Sequence, residues 1–205
     1  RLVYRMIFLL TVEEREILHP PGTPAEARAL YAEGYGLRRL RERALRRAQY
    51  DRHTDLWASL KPVFAALGRP EGEPALGLPG LGGLFSAEQC PHLDACELEN
   101  RSLLAAVFRL AWLREGGALA RVNWKDMGPE ELGSVYESLL ELVPVVSDDG
   151  RRFAFAGEGE SAGNARKLTG SYYTPDSLVQ QLLDTALEPV VRERLAAHPD
   201  DPEQA

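Results

Sequence analysis

The feature that most limits what this chain can fold into is a helical spacing of apolar residues that returns along its length and is closed each time by glycine or proline. Leu56, Leu60, Val63, Phe64 and Leu67 recur at intervals of three and four, with Gly68 behind them. Leu103, Leu104, Val107, Phe108, Ala111 and Trp112 do the same ahead of Gly116-Gly117. Leu132, Val135, Tyr136, Leu139 and Leu140 follow Pro129, and Leu178, Val179, Leu182, Leu183, Ala186 and Leu187 follow Thr174-Pro175. Stripes of this kind are buried by packing helices against one another, so the expected fold is mainly α, a helical bundle. The pattern breaks once. Val143-Pro144-Val145-Val146 and Arg152-Phe153-Ala154-Phe155 are extended runs joined by Ser147-Asp148-Asp149-Gly150, which predicts a small β-hairpin. The small residues from Gly157 to Asn164 read as a linker.

The remaining segments have individual features. Leu2 to about Leu18 reads as a helix that is apolar nearly all round, hence buried, and stopped by His19-Pro20-Pro21-Gly22. His19 reads as a surface residue at that helix end. Thr23-Pro24-Ala25-Glu26 reads as a capping box opening a helical segment to about Tyr50, with Gly34 and Gly36 bending or splitting it. Pro62 implies a late start or a kink in the Asp55–Leu67 helix, and Trp57 lies off its stripe, placed to cover a neighbouring element. Arg69 to Phe85, dense in proline and glycine, reads as a long irregular loop of the functional or mobile sort. Asn100 reads as the cap of a helix running to about Glu115, followed by a short extended link at Val122-Asn123-Trp124. The late helix is expected to kink or restart at Pro189, and His198 to Ala205 to fray. The expected organisation is a helical domain over 1–142, a hairpin and linker over 143–164, and a loop and helix over 165–205.

Charge and composition narrow the function. The formal net charge of −7 excludes a chain-wide basic nucleic-acid binder, so DNA contact requires a local patch. The one such patch is Arg38, Arg39, Arg41, Arg43, Arg46 and Arg47. On a continuous helix Arg39, Arg43, Arg46 and Arg47 share one side, a face suited to tracking phosphates or simply to lying in solvent, with Glu42 pairing locally. Cys90 and Cys96 are separated by five residues and lack a second ligand pair, which points to free or packed thiols rather than a metal site. Met6–Leu10 is too short to span a membrane, and a cytoplasmic protein is expected. No nucleophile–base set, paired carboxylates or phosphate-cradling glycine loop stands out, so no catalytic residue is assigned within the chain.

The stretch Thr169-Gly170-Ser171-Tyr172-Tyr173-Thr174-Pro175 runs a polar loop into two tyrosines and then a helix N-terminus, with Thr174 suited to the cap and Pro175 to the first turn. Such an end presents free N–H groups to an anionic or carboxylate-bearing ligand; tyrosines packed as core are the plainer alternative. "TGSYYTPDSLVQQLLDTALEPVV" resembles the segment preceding the catalytic core of large adenine-specific DNA methyltransferases. These are the type IIG restriction–modification and phage-exclusion (BREX-like) methylases and, more distantly, type I modification subunits. "ELGSVYESLLEL" at Glu131–Leu142 resembles the helix those proteins carry upstream, and "RLVYRMIFLLTVEEREIL" their N-terminal helical region.

The resemblance implies that Ser171, Tyr172, Tyr173, Thr174 and Pro175 line one wall of an S-adenosylmethionine pocket. It also implies that a Rossmann-like core with the glycine-rich and Asn-Pro-Pro-Tyr/Phe motifs follows. The protein would then methylate the exocyclic amino group of a flipped adenine in double-stranded DNA, with defence-system subunits as partners, a fused restriction endonuclease in some members, and no membrane association. The expectation is an N-terminal fragment that is inactive alone. The alternative is a non-enzymatic helical interaction or adaptor module.

Overall fold

A computed structural model describes residues 1–140, 142–147, 149–156, 174 and 176–197. The chain divides into two compact units, Arg1–Asp126 and Met127–Ala205. The protein is mainly helical, with two small antiparallel two-stranded sheets among the described residues.

In the first unit, α1 (Leu2–Glu14), α2 (Ala25–Gly34), α3 (Leu37–Arg43), α4 (Asp55–Gly68), α5 (Pro91–Ala95) and α6 (Asn100–Ala111) surround one core. Leu9 and Leu10 of α1, Leu37 and Leu40 of α3, Leu60, Val63 and Leu67 of α4, and Leu103, Leu104 and Val107 of α6 are essentially excluded from water. Removing that apolar surface from water is the main force holding the unit together. Trp57, off the α4 stripe, is also buried and donates its indole N–H to the Cys96 carbonyl at 2.9 Å. Pro62 sits inside α4, which continues to Gly68.

Several local expectations are corrected. The first helix ends at Glu14, not Leu18. Glu16 takes the left-handed conformation (φ 58°), with Glu16 N–H donating to Glu13 O and Ile17 N–H to Val12 O, a Schellman closure built on a residue other than glycine. The Thr23 capping box does not form. Pro24 occupies the N-cap of α2, and the Thr23 hydroxyl donates to Pro20 O at 2.7 Å, closing the preceding turn instead. The helical segment then splits at Gly34-Tyr35-Gly36. The start of α3 is capped from a distance: the Glu13 carboxylate accepts Leu37 N–H and Arg38 N–H, both at 2.8 Å, and the Tyr31 hydroxyl at 2.6 Å. Burial pushes the Glu13 carboxyl up despite those bonds, and pushes the Tyr31 phenol well up. Arg41 pairs with Glu14 beside it, both largely buried.

The proline- and glycine-rich stretch 69–85 is a packed element rather than a loose loop. Glu73 and Leu78 bridge through both backbone bonds, Leu76, Leu78 and Phe85 are buried, and a Cβ on Gly80 would lie 2.2 Å from the Arg69 carbonyl oxygen. His19 closes this element onto α2, with Nδ1 2.9 Å from Gly77 O and its ring edge-on to Tyr31.

The α6 helix stops at Ala111 rather than Glu115. Trp112–Glu115 (β1) pairs with Ala118–Arg121 (β2) from Trp112↔Arg121 to Glu115↔Ala118. Gly116 and Gly117, at φ 56° and 85°, make the two-residue turn that requires positive φ at both centres.

In the second unit, α7 (Pro129–Leu140) precedes the expected hairpin, β3 (Val143–Val146) on β4 (Phe153–Ala156), paired from Val143↔Ala156 to Val146↔Phe153. Then come α8 (Asp176–Leu182), a π-turn at Leu183–Leu187 and α9 (Glu188–Ala197). Pro189 is the second residue of α9, and the π-turn absorbs the break it imposes. The stripe expected to be buried here is open to water: Leu178, Leu182, Leu187, Val190 and Leu195 are all exposed. Among the described residues no helix is long and apolar enough to cross a membrane.

Candidate functional site

Of the loop singled out as a cofactor wall, Thr174 alone is described. It is exposed and in no regular element, two residues ahead of the first residue of α8, Asp176. Ser171, Tyr172, Tyr173 and Pro175 lie outside the described residues.

The four arginines do not form one helical face. Helix α3 ends at Arg43, Arg46 is extended (φ −106°, ψ 107°), and Arg47 begins a 3-10 turn to Gln49. Ala44 is buried and its N–H still bonds Leu40 O, and the chain then leaves the helix through shorter-range bonds from Leu45 N–H to Glu42 O and from Arg46 N–H to Arg43 O. Arg39 and Arg43 are half-buried and engaged. Arg39 Nη2 donates to Ser59 Oγ at 3.0 Å, and Arg43 Nη1 to Gln49 Oε1 at 3.2 Å. Burial, then the neighbouring Arg43 charge, lowers the Arg39 guanidinium from its ordinary value, with Asp55 opposing. Arg46 and Arg47 are exposed.

The most connected polar cluster lies where the N-termini of α4 and α6 meet. Asn100, 3% exposed, is the first residue of α6, with Glu99 at the N-cap, so it does not cap its own helix as its position suggested. Its side chain serves α4: Oδ1 accepts Leu56 N–H at 3.2 Å, and Nδ2 donates to Asp51 Oδ1 and Asp55 Oδ1, both at 2.8 Å. The backbone closes the same joint through Asn100 N–H to His53 O at 2.7 Å and Arg101 N–H to Asp51 O at 3.0 Å. The Asn100 bond holds the Asp55 carboxyl below its usual range, helped by the His53 and Arg43 charges. Arg43, Gln49, His53 and Thr54 complete an open cleft of about 560 Å³. The amide's donors and acceptor are all engaged within the protein, so this cluster locks two helix ends together and offers no nucleophile–base pair. Its signal in the sequence was invisible because its members are up to 49 residues apart.

Cys90 is half-buried and Cys96 exposed, and both are free thiols. Among the described residues no group of three or more His, Cys, Asp or Glu side chains is placed to hold a metal ion.

Comparison with known proteins gives no match, whether to a family model, a curated protein or a solved structure.

Proposed function

We propose that this chain is the N-terminal part of an adenine-specific DNA methyltransferase of the restriction–modification or phage-defence kind. In this reading Ser171, Tyr172, Tyr173, Thr174 and Pro175 form one wall of its S-adenosylmethionine pocket. The observation that carries the reading is an ordered pair of sequence elements. "GSVYE" lies within α7, and "SYYTP" runs directly into the start of α8, the order in which the methylases carry them. Thr174, the one described residue of the wall, supports the reading by its position. It is exposed two residues ahead of a helix start whose first N–H groups have no intrahelical partners, and donors of this kind suit a carboxylate or ribose hydroxyl. The open aliphatic face of α8 and α9 fits a helix that packs on a further layer, as a helix flanking a Rossmann-like sheet does.

Bound cofactor supplies an electrophilic methyl group on a sulfonium. The chain's own contribution is to bind and orient it: a tyrosine ring at 172 or 173 packs against the sulfonium or the adenine, since cations are attracted to aromatic faces. The glycine-rich and Asn-Pro-Pro-Tyr/Phe motifs are absent from these 205 residues, so proton removal and methyl transfer are assigned to the parent protein. Sequencing the gene around this segment tests the proposal. A glycine-rich strand-end motif followed by Asn-Pro-Pro-Tyr or Phe supports it. A gene without that pair overturns it and leaves the adaptor module.

A further inference from the structure

The acidity of the chain is unevenly placed. Residues 1–126 hold eighteen Lys and Arg against sixteen Asp and Glu, a formal charge of +2, leaving six against fifteen, or −9, for residues 127–205. Within the first unit the positive charge is concentrated at 38–52, with seven arginines against Glu42 and Asp51. The end of that stretch forms one side of a groove of about 620 Å³, and the β1–β2 hairpin forms the other. Arg47 stands on the first side and Arg114 on the second. Both are exposed, and neither side chain has a hydrogen bond or ion pair among the described residues. The walls between them are Tyr50, Phe108, Leu45 and Leu119, and no carboxylate lines the groove. Leu45 and Leu119 are about half exposed, at 45% and 44%. The Tyr50 hydroxyl donates to Ala44 O at 2.8 Å, which fixes the ring as a wall before any ligand arrives. Arg46 and Arg109, next in sequence to Arg47 and Phe108, are also exposed.

We propose that this groove is a DNA-backbone surface, in which Arg47 and Arg114 hold phosphates of double-stranded DNA and the apolar walls take the deoxyribose edges. The proposal rests on the DNA reading above. It replaces the single helical face expected for Arg39, Arg43, Arg46 and Arg47, of which Arg39 and Arg43 are turned inward to Ser59 and Gln49. The chemistry of the lining favours a phosphodiester over an acidic peptide. Both carry anionic acceptors, but a peptide also brings N–H donors. Apart from the Tyr50 hydroxyl, the side chains lining the groove offer such donors no acceptor, whereas a phosphodiester brings acceptors alone.

The test is fluorescence anisotropy of the 205-residue chain with a labelled duplex across a salt series. Each phosphate contact contributes about 0.9 to the slope of log K against log salt. Arg47→Gln with Arg114→Gln is therefore expected to lower the slope by about 1.8 and to weaken binding at least about tenfold at low salt. Arg47→Lys with Arg114→Lys keeps the slope, and so does Arg39→Gln with Arg43→Gln. Neither groove arginine makes a contact that folding needs, and circular dichroism of the variants checks this. Duplex binding with a slope unchanged in the glutamine pair overturns the proposal and leaves the methylase reading standing. Binding of polyglutamate but not duplex, lost in the same pair, overturns it in favour of an acidic protein partner. Groove-dependent duplex binding in a parent protein that binds no S-adenosylmethionine keeps the groove and removes the methylase reading.

Discussion

Replacing Asn100 by alanine removes three bonds at once from the joint of α4 and α6. The Leu56 N–H loses its acceptor inside the fold, a cap-type loss of about 1 kcal/mol. The two donations to Asp51 and Asp55 are charge-assisted but reach carboxylates that are partly or fully exposed, so about 0.5–1.5 kcal/mol each is a fair net value. The sum is roughly 2–4 kcal/mol, which for a unit of this size lowers the melting temperature by roughly 10 °C. Asn100→Asp separates the contributions. It keeps an acceptor for Leu56 N–H but removes the donor and sets a third carboxylate against two others. Its cost at neutral pH is expected to match or exceed that of alanine and to shrink as the pH falls and the carboxylates protonate. Thermal unfolding followed at 222 nm at pH 7 and pH 4.5 reads both. An alanine variant within about 1 kcal/mol of wild type, or an aspartate variant as stable as wild type at pH 7, refutes the view that this amide locks the two helices.

Three further outcomes follow from the fold. Because the Glu13 carboxyl is raised in the folded protein, the folded state holds a proton between the ordinary value of 4.5 and the raised one that the unfolded state has lost. Wild type should therefore gain stability relative to Glu13→Gln as the pH falls through that window, and urea unfolding at several pH values showing no such gain counts against the burial argument. Glu16→Gly relieves a left-handed residue at the end of α1 and should stabilise by roughly 0.5–1 kcal/mol, read as a higher urea midpoint. Arg5 is wholly buried, stacked 5.2 Å from the Phe64 centroid and 5.7 Å from that of Phe85. Nε bonds Leu84 O and Nη1 bonds Asp94, while Nη2 has no partner among the described residues. Arg5→Ala should cost roughly 2–4 kcal/mol through lost packing, and Arg5→Met much less, since it refills the space without the unpaired donor.

The elements legible in the sequence were those whose signal is local. The α4 and α7 stripes repeat at helical spacing, and Asp149-Gly150 between two extended runs marks the β3–β4 hairpin. The β1–β2 hairpin escaped because Trp112, four residues after Phe108, continues the α6 stripe, and Gly116-Gly117 serves a helix stop as well as a turn. The supposed single arginine face is broken by the end of the helix. Periodicity places Arg39, Arg43, Arg46 and Arg47 together only on an unbroken helix, and the helix ends at Arg43, with Arg46 extended beyond it. The caps that matter most here, Glu13 on α3 and Asn100 on α4, act across 24 and 44 residues, beyond any local pattern. In the second unit the α8 stripe was legible as a helix but not as an exposed one, because spacing reports which face is apolar and not what covers it.

The central claim is that Tyr172 to Pro175 form part of an S-adenosylmethionine site. Titration calorimetry of the cofactor into the parent protein and its Tyr173→Ala variant tests it most directly. In the proposed reading one loop and one helix start would supply a single wall, so the parent rather than the 205-residue chain is the molecule to measure. The account predicts binding by the parent and an affinity about tenfold lower in the variant, the size of a lost aromatic contact of roughly 1–2 kcal/mol. Equal affinity in parent and variant, or no binding by the parent, contradicts it.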